Sequence, residues 1–411
     1  MRLTMPHWPT KSGDYESNRD YESNRTEAEF DPVSEVGSMH LATLRLANFR
    51  SCVDTTVEFT GDLTVLVGEN GSGKSNIIDS IRLATPSALE NRSLWFDQER
   101  DRSYSVPKDA SIGIVQTYRD LTDEEKAIYL AQLVDDHDDL TYSLNLSTSA
   151  EIPVRSRMHY TVGENSVADS EPENRERIAH VYLPPLRDAV RELGSGDGTR
   201  LAEILRVLSN NDTEEFERTA NEIVKSVASL PLPMSTRDAV QRELQKLTHP
   251  ARGHRVHMGG REQELRKLAG LLRIMLSEAG IEAAEIGAAG LGYANLLYIA
   301  MIVLQLERAR EYDLTLLLVE EPEAHLHPQL QSVLLAYLRD RANDSQQKRG
   351  GTLEPTGRVQ VIVSTHSPNL ASSVSTRNVV AVSRQRVKDG QDWTTRARAL
   401  NGTGLSRVEQ R

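Results

Sequence analysis

Three groups of residues in this chain have the types and spacing to work on a nucleoside triphosphate. The first is Gly68-Glu69-Asn70-Gly71-Ser72-Gly73-Lys74-Ser75: a glycine, four residues, a second glycine, lysine and serine. Glycines at 68, 71 and 73 let successive backbone N–H groups turn toward an anion without Cβ clashes, at the start of a helix whose dipole favours that anion. Lys74 is spaced to reach the β- and γ-phosphates, and the Ser75 hydroxyl to ligate Mg²⁺. Asn70, Ser72 and Asn76 are counted with the loop as nucleotide contacts. The second group is the pair Glu320-Glu321, opening Glu-Glu-Pro-Glu-Ala-His-Leu-His-Pro. Paired carboxylates at a core edge are costly unless a cation or water uses them. Glu320 therefore suits Mg²⁺ binding through water, and Glu321 suits orienting and deprotonating an attacking water. The third is His366, in Ser364-Thr365-His366-Ser367-Pro368 at the end of an apolar run, a histidine that taken alone reads as structural and gains a role only from its place after the other two groups.

The elements needed to position these groups are legible beside them. Leu63–Val67 is an apolar run before the glycine loop, and Ile77, Ile78, Ile81 and Leu83 give the segment after it a helical apolar face. Leu314–Val319 and Val359–Val363 are uninterrupted apolar runs, as expected of strands in the middle of a sheet. In open α/β sheets the ligand lies beyond the carboxyl ends of such strands, where all three groups fall. Val181–Leu183, followed by Pro184-Pro185, is a further buried strand ending in a rigid turn. Arg187 and Asp188 beyond it fit either a ligand crevice or a surface pair capping a helix. Residues 112–117, 140–146 and 154–162 read as strands, and Leu121-Thr122-Asp123-Glu124-Glu125 as the capped start of a short helix. Gln116 fits either a contact to Mg²⁺ or water, or a structural place inside its strand. Four segments (201–208, 214–227, 237–247 and 263–276) have helical apolar spacing, with breakers at Pro231, Pro233, Pro250 and Gly259-Gly260. No heptad is sustained, which excludes a long coiled coil. Arg252, His254, Arg255, His257, Arg261, Arg266 and Lys267 form a basic cluster suited to a phosphate backbone or to a solvated helix face.

Two short strands around Asn48-Phe49-Arg50-Ser51, running into the glycine loop, resemble the start of the RecF, SMC, Rad50 and OLD (overcoming lysogenization defect) ATPases. The Glu-Glu-Pro-Glu-x-His-Leu-His-Pro and Thr-His-Ser-Pro segments are similar to the OLD form. The resemblance covers residues 40–385. It implies an α/β fold: an ABC-type P-loop ATPase head, a mixed sheet with an antiparallel side sheet, carrying a compact helical insertion. It implies ATP and Mg²⁺ as ligands, with His366 as the switch histidine on the γ-phosphate and Lys74, Glu321 and His366 as the catalytic set. Gly290 and Gly292, in Gly-Leu-Gly-Tyr before an apolar helix, take the place of the signature motif that binds the γ-phosphate held by a second copy. The signature serine familiar from ABC-type heads is absent, so that contact would come from backbone N–H groups; OLD-type proteins are similar in having this Gly-Leu-Gly-Tyr form. Most ABC-type heads also place aspartate where Glu320 stands. Arg50 fits a nucleotide contact or a solvated strand-end charge. His325 and His327, two apart with no further ligands, read as structural.

The expected organisation is a disordered arm or tag over 1–38, containing a repeated Asp-Tyr-Glu-Ser-Asn-Arg. An N-terminal lobe spans 39–194, a helical insertion and candidate dimerisation element 195–285, a C-terminal lobe 286–385, and a tail or linker 386–411. A single cysteine, Cys52, excludes an intramolecular disulfide and a cysteine-cluster metal site. The longest apolar run, 296–306, is too short to span a membrane, and no signal peptide is evident, so a cytoplasmic protein is expected. A net charge of -12 argues against an overall basic surface but leaves room for a local nucleic-acid groove. The expected partners are a second copy, DNA and a nuclease subunit. OLD-type heads usually lead into a TOPRIM nuclease, and nuclease activity is expected outside these residues, in a C-terminal portion or another chain. The expected role is regulation of DNA processing in anti-phage defence or repair. The alternative is a nucleotide-gated DNA clamp with little turnover.

Overall fold

The computed structural model describes residues 39–88, 94–107, 109–135, 138–147, 158–163, 166–185, 199–209, 212–247, 254–272, 275–276, 284–285, 296–297, 299–301, 303–304, 306, 311–323, 326, 328–347, 357–386 and 393–400. Two six-stranded sheets organise them. The first is antiparallel throughout: β1 (His40–Phe49), β2 (Cys52–Glu58), β4 (Ile112–Arg119), β5 (Leu140–Leu146), β6 (Met158–Val162) and β7 (Val167–Ala168), in the order β2-β1-β4-β5-β6-β7. The second has the order β14-β13-β3-β12-β11-β8, and its members are β3 (Leu63–Val67), β8 (Ile178–Leu183), β11 (Leu314–Glu320), β12 (Arg358–Thr365), β13 (Val379–Arg386) and β14 (Trp393–Ala399). All its pairings are parallel except β13 with β14. This is the mixed sheet with an antiparallel side sheet expected of an ABC-type head.

The apolar runs explain the layering. Along β11, Leu314, Leu316 and Leu318 enter one core while Leu317 and Val319 enter another. The strand is therefore covered on both faces, which is why its sequence does not alternate. The first core lies between the sheets and takes in helix α1 (Lys74–Ala84) through Ile77, Ile78 and Ile81. The second takes Val65, Val361 and Val363, together with Ile299, Val303 and Leu306 of the apolar run and Leu334, Leu335 and Leu338 of the long helix Pro328–Gln347.

Elsewhere the helix over Asp123–Ile128 begins with a complete capping box between Thr122 and Glu125, as its sequence suggests. Between residues 199 and 269 the described helices are Thr199–Leu208, Glu214–Val227, Pro231–Leu247 and Leu265–Ala269. Pro231 and Pro233, expected to separate helices, instead lie in the first turn of one, where no intrahelical N–H is lost. The helix expected over 263–276 is confined to Leu265–Ala269 and capped at Gly270, and β9 (Met275–Leu276) pairs with β10 (Ala284–Glu285) as a short ladder. Of the basic cluster, Arg252 lies outside the described residues, and residues 254–263 form neither helix nor strand and are tied to the helices by Gln241, which donates to the His254 carbonyl (2.9 Å), and by Asn221, which donates to the Gln263 carbonyl (3.0 Å). Among the described residues no helix is long and apolar enough to cross a membrane.

Residues 386–411, set aside above as a tail or linker, contain β14. Trp393–Ala399 is the edge strand of the second sheet and lies against β2 and the glycine loop. The polar sequence Thr-Thr-Arg carries no apolar alternation, so its strand character comes from pairing with β13 over Val380–Arg386.

Candidate active site

Parallel register brings the candidate groups to one edge. Thr365 stands opposite Val67, Ser364 opposite Glu320 and Val319 opposite Leu183. The strands therefore end together, delivering the glycine loop, the paired glutamates and His366 to the same carboxyl edge.

In the glycine loop, Gly71 (φ 75°) and Gly73 (φ 110°) adopt left-handed backbone that side-chain-bearing residues rarely take. A Cβ on Gly68 would strike the Val382 carbonyl, and one on Gly73 would strike Thr395. Lys74 is buried, and its Nζ donates to the carbonyls of Gly68 (2.7 Å) and Glu69 (2.9 Å). Burial holds its amine below the usual lysine range, while Glu321, Glu323 and Glu320 pull the other way. Ser72 Oγ is buried without a hydrogen-bond partner among the described residues.

Asn76 faces the turn between β1 and β2. Its Nδ2 donates to Ser51 Oγ (2.6 Å), which is 2.7 Å from Thr395 Oγ1, and Thr395 Oγ1 donates to the Ser72 carbonyl (3.0 Å). Arg50, at φ 48°, is held rather than solvated. Its guanidinium donates to Asp101 (2.8 Å), Asp79 (2.6 Å) and Asn76 (3.3 Å). Arg50 therefore locks the first hairpin to α1, and Arg384 of β13 lies over the loop beside Gly71.

Glu320 is the last residue of β11 and is buried. Its Oε2 accepts a 3.0 Å bond from the Tyr182 phenol, and its Oε1 has no partner among the described residues. Burial pushes its carboxyl above the usual range, partly offset by the hydroxyls of Ser75 and Tyr182. Arg82 stacks over the Tyr182 ring at 3.6 Å and pairs with Asp79 at 2.7 Å. Side chains thus connect Arg50 through Asp79, Arg82 and Tyr182 to Glu320.

At Glu321 the chain leaves the strand with φ 44°, held by its N–H donating to the Ser364 carbonyl at 2.8 Å. Its side chain is about one-third exposed and lies 3.5 Å from His366 Nδ1. His366, half-exposed, also faces Glu323 at 3.3 Å. A buried strand thus ends in one enclosed carboxylate beside the Ser75 hydroxyl and one water-accessible carboxylate beside an imidazole. The first can hold a cation, and the second can take a proton from water.

Gln116 lies outside this constellation. It is buried in β4, pairs with Leu44 and Tyr142 across the sheet, and accepts from the Tyr118 hydroxyl at 3.2 Å, which is a structural place. Gly290, Gly292, Arg187, His325 and His327 lie outside the described residues. Sequence reasoning missed Asp79, Tyr182, Glu323 and Thr395. Asp79 is one turn beyond Ser75 on the buried helix and Glu323 sits within the carboxylate motif, so both carried a signal. Tyr182 and Thr395 carried none without the sheet order.

Comparison with known proteins agrees with this geometry. A family model described as AAA ATPase domain matches residues 198–371, and one described as AAA domain matches residues 43–152. The Old nuclease of Escherichia phage P2 is 24% identical over 368 residues, which cover 84% of this chain and 59% of that protein. The chain therefore spans about three-fifths of the length of that relative. Short stretches match the DNA double-strand break repair Rad50 ATPase of Sulfolobus acidocaldarius (54% over 43 residues; 10% of this chain, 5% of that protein) and the DNA replication and repair protein RecF of Trichormus variabilis (49% over 45 residues; 11% and 12%). Among solved structures, the SMC head bound to the C-winged helix domain of ScpA has a TM-score of 0.51 at 16% identity, covering 88% of this chain and 98% of that one. The strand ends, the glycine loop, the glutamate pair and these relatives agree: the chain carries an ABC-type ATPase head, similar to those of the Old nuclease and of RecF, Rad50 and SMC proteins.

Proposed function

We propose that this head binds and hydrolyses ATP with Mg²⁺, as a head-to-tail pair, to regulate DNA processing. The observation that carries the reading is the convergence of Lys74, Glu320, Glu321 and His366 at one carboxyl edge. The residues fit the ligand: Glu320 Oε1 and Ser72 Oγ are buried polar atoms without partners among the described residues, where a metal–triphosphate would supply them. Ser75 and Glu320 would hold Mg²⁺. When bound, the cation neutralises charge on the phosphate oxygens.

Lys74 leaves the carbonyls of Gly68 and Glu69 for the β- and γ-phosphates. The loop amides and the start of α1 face the same phosphates. Glu321 takes the proton of the attacking water, and its accessible carboxylate suits that task. His366 hydrogen-bonds the γ-phosphate, and Gly290 and Gly292 of a second copy supply backbone N–H groups from the opposite side. Helices between 199 and 269 are the candidate element for a pair that persists without ATP. The relatives are named for nuclease, repair and replication activities, and the whole-protein role proposed by likeness is a motor that gates strand cleavage by a TOPRIM portion or a separate chain.

Tyr182→Phe should raise the Mg²⁺ concentration for half-maximal turnover by about tenfold, because it removes the bond that orients Glu320. A Mg²⁺ titration of phosphate release that matches wild type would remove Glu320 from the cation site. DNA coupling is tested by measuring ATP turnover with and without linear duplex. Stimulation by DNA ends supports the regulatory reading, and ATP-dependent DNA retention with negligible turnover would favour a clamp.

A further inference from the structure

One acid at this edge was assigned no phosphate, cation or proton-transfer role above. Glu323 is 8% exposed, three residues beyond the end of β11. Burying a carboxylate is costly unless donors surround it. Its donors come from two adjacent residues of another strand. Glu323 Oε1 accepts from Thr365 Oγ1 at 2.5 Å and from the His366 backbone N–H at 3.0 Å, and it lies 3.3 Å from His366 Nδ1. Thr365 Oγ1 in turn accepts from the Ser367 N–H at 2.9 Å, and Ser367 Oγ donates to Gln331 Oε1 at 3.1 Å. The left-handed turn at Glu321, fixed by its bond to the Ser364 carbonyl, allows this return of the chain.

The consequence concerns the imidazole. Glu321 Oε1 (3.5 Å) and Glu323 Oε1 (3.3 Å) both face Nδ1. Carboxylates only accept hydrogen bonds, so a proton on Nδ1 suits these neighbours and would leave Nε2 for a ligand. One carboxylate oxygen thereby fixes the backbone, the ring orientation and the strand end of His366. The same short loop carries Glu321.

We propose that Glu323 is a positioning residue for hydrolysis, tying the strand end that bears Glu321 to the one that bears His366 and so setting His366 against the γ-phosphate. The inference rests on the reading of His366 as the γ-phosphate contact. A displacement of about 1 Å at such a group costs on the order of 100-fold in turnover. Glu323→Ala should therefore lower kcat by about 100-fold with the KM for ATP within about threefold of wild type. Glu323→Gln, which keeps an oxygen acceptor for Thr365 and His366, should recover turnover to within about fivefold. A merely structural acid would not show the next effect. On a His366→Ala background, Glu323→Ala should cost less than about threefold more, because the two act as one unit.

The test is steady-state phosphate release by the full chain across this cycle, with far-UV circular dichroism for each variant. Should Glu323→Ala fail to fold, Thr365→Val, which removes one donor to the same oxygen, enters the same cycle with an expected loss of about tenfold. A full additional loss on the His366→Ala background, or wild-type kcat in a folded Glu323→Ala chain, overturns the positioning role while leaving the ATPase reading intact. Wild-type turnover by His366→Ala instead overturns the reading on which the inference rests.

Discussion

Glu321→Gln is expected to lower kcat for ATP by about 100- to 1,000-fold while leaving ATP affinity within a few fold of wild type. The carboxamide has nearly the same shape and keeps an acceptor for the attacking water, but it cannot take its proton. Residue 321 also sits at the end of a buried strand with φ 44°, and its side chain is the accessible one of the glutamate pair. Glutamine tolerates the same backbone, so the loss would be chemical rather than structural. Single-turnover phosphate release at saturating ATP, alongside binding of a non-hydrolysable analogue, separates the two. Unchanged phosphate release would take the general base away from Glu321.

The second large effect is at Lys74. Lys74→Ala should weaken ATP binding by about 10- to 150-fold, the worth of a charge-assisted hydrogen bond to phosphate. The residue has a double duty here. Its ammonium satisfies the Gly68 and Glu69 carbonyls, and it feels the charge of three glutamates gathered at the sheet edge. Removing it leaves those carboxylates facing the triphosphate with less compensation, which adds to the loss. Calorimetric titration with an ATP analogue measures this directly, and an unaltered dissociation constant would mean that the loop does not hold the phosphates.

These residues were legible because their chemistry is local. The glycine loop has a fixed spacing, and the strands before it and before Glu320 are apolar runs of the length a central strand needs. The sheet class came from the resemblance to ABC-type heads, and those runs agreed with it. What escaped is what depends on register and long-range pairing. Thr395 lies more than 300 residues from Ser72, yet its hydroxyl donates to that loop carbonyl, and nothing in the polar string around it announces a strand. Arg50 looked like a strand-end charge or a nucleotide contact, and the structure gives it Asp79 and Asp101 as partners, one on α1 and one beyond it. Tyr182 sat in a recognisable strand, but its reach to Glu320 follows only from β8 lying beside β11. Pro231 and Pro233 were misplaced for a different reason. Proline ends a helix from within but is tolerated in the first turn, and sequence alone does not say which side of it the helix lies.

The most direct test of the central claim is phosphate release from MgATP by the purified chain, followed across a wide range of chain concentration. If the glycine signature of one copy completes the site of another, turnover per chain rises with concentration until the pair is saturated, and Glu321→Gln with ATP traps that pair in sedimentation. Phosphate release that is absent at every concentration would contradict the ATPase assignment. Release at a constant rate per chain, with no trapped pair, would contradict the shared site.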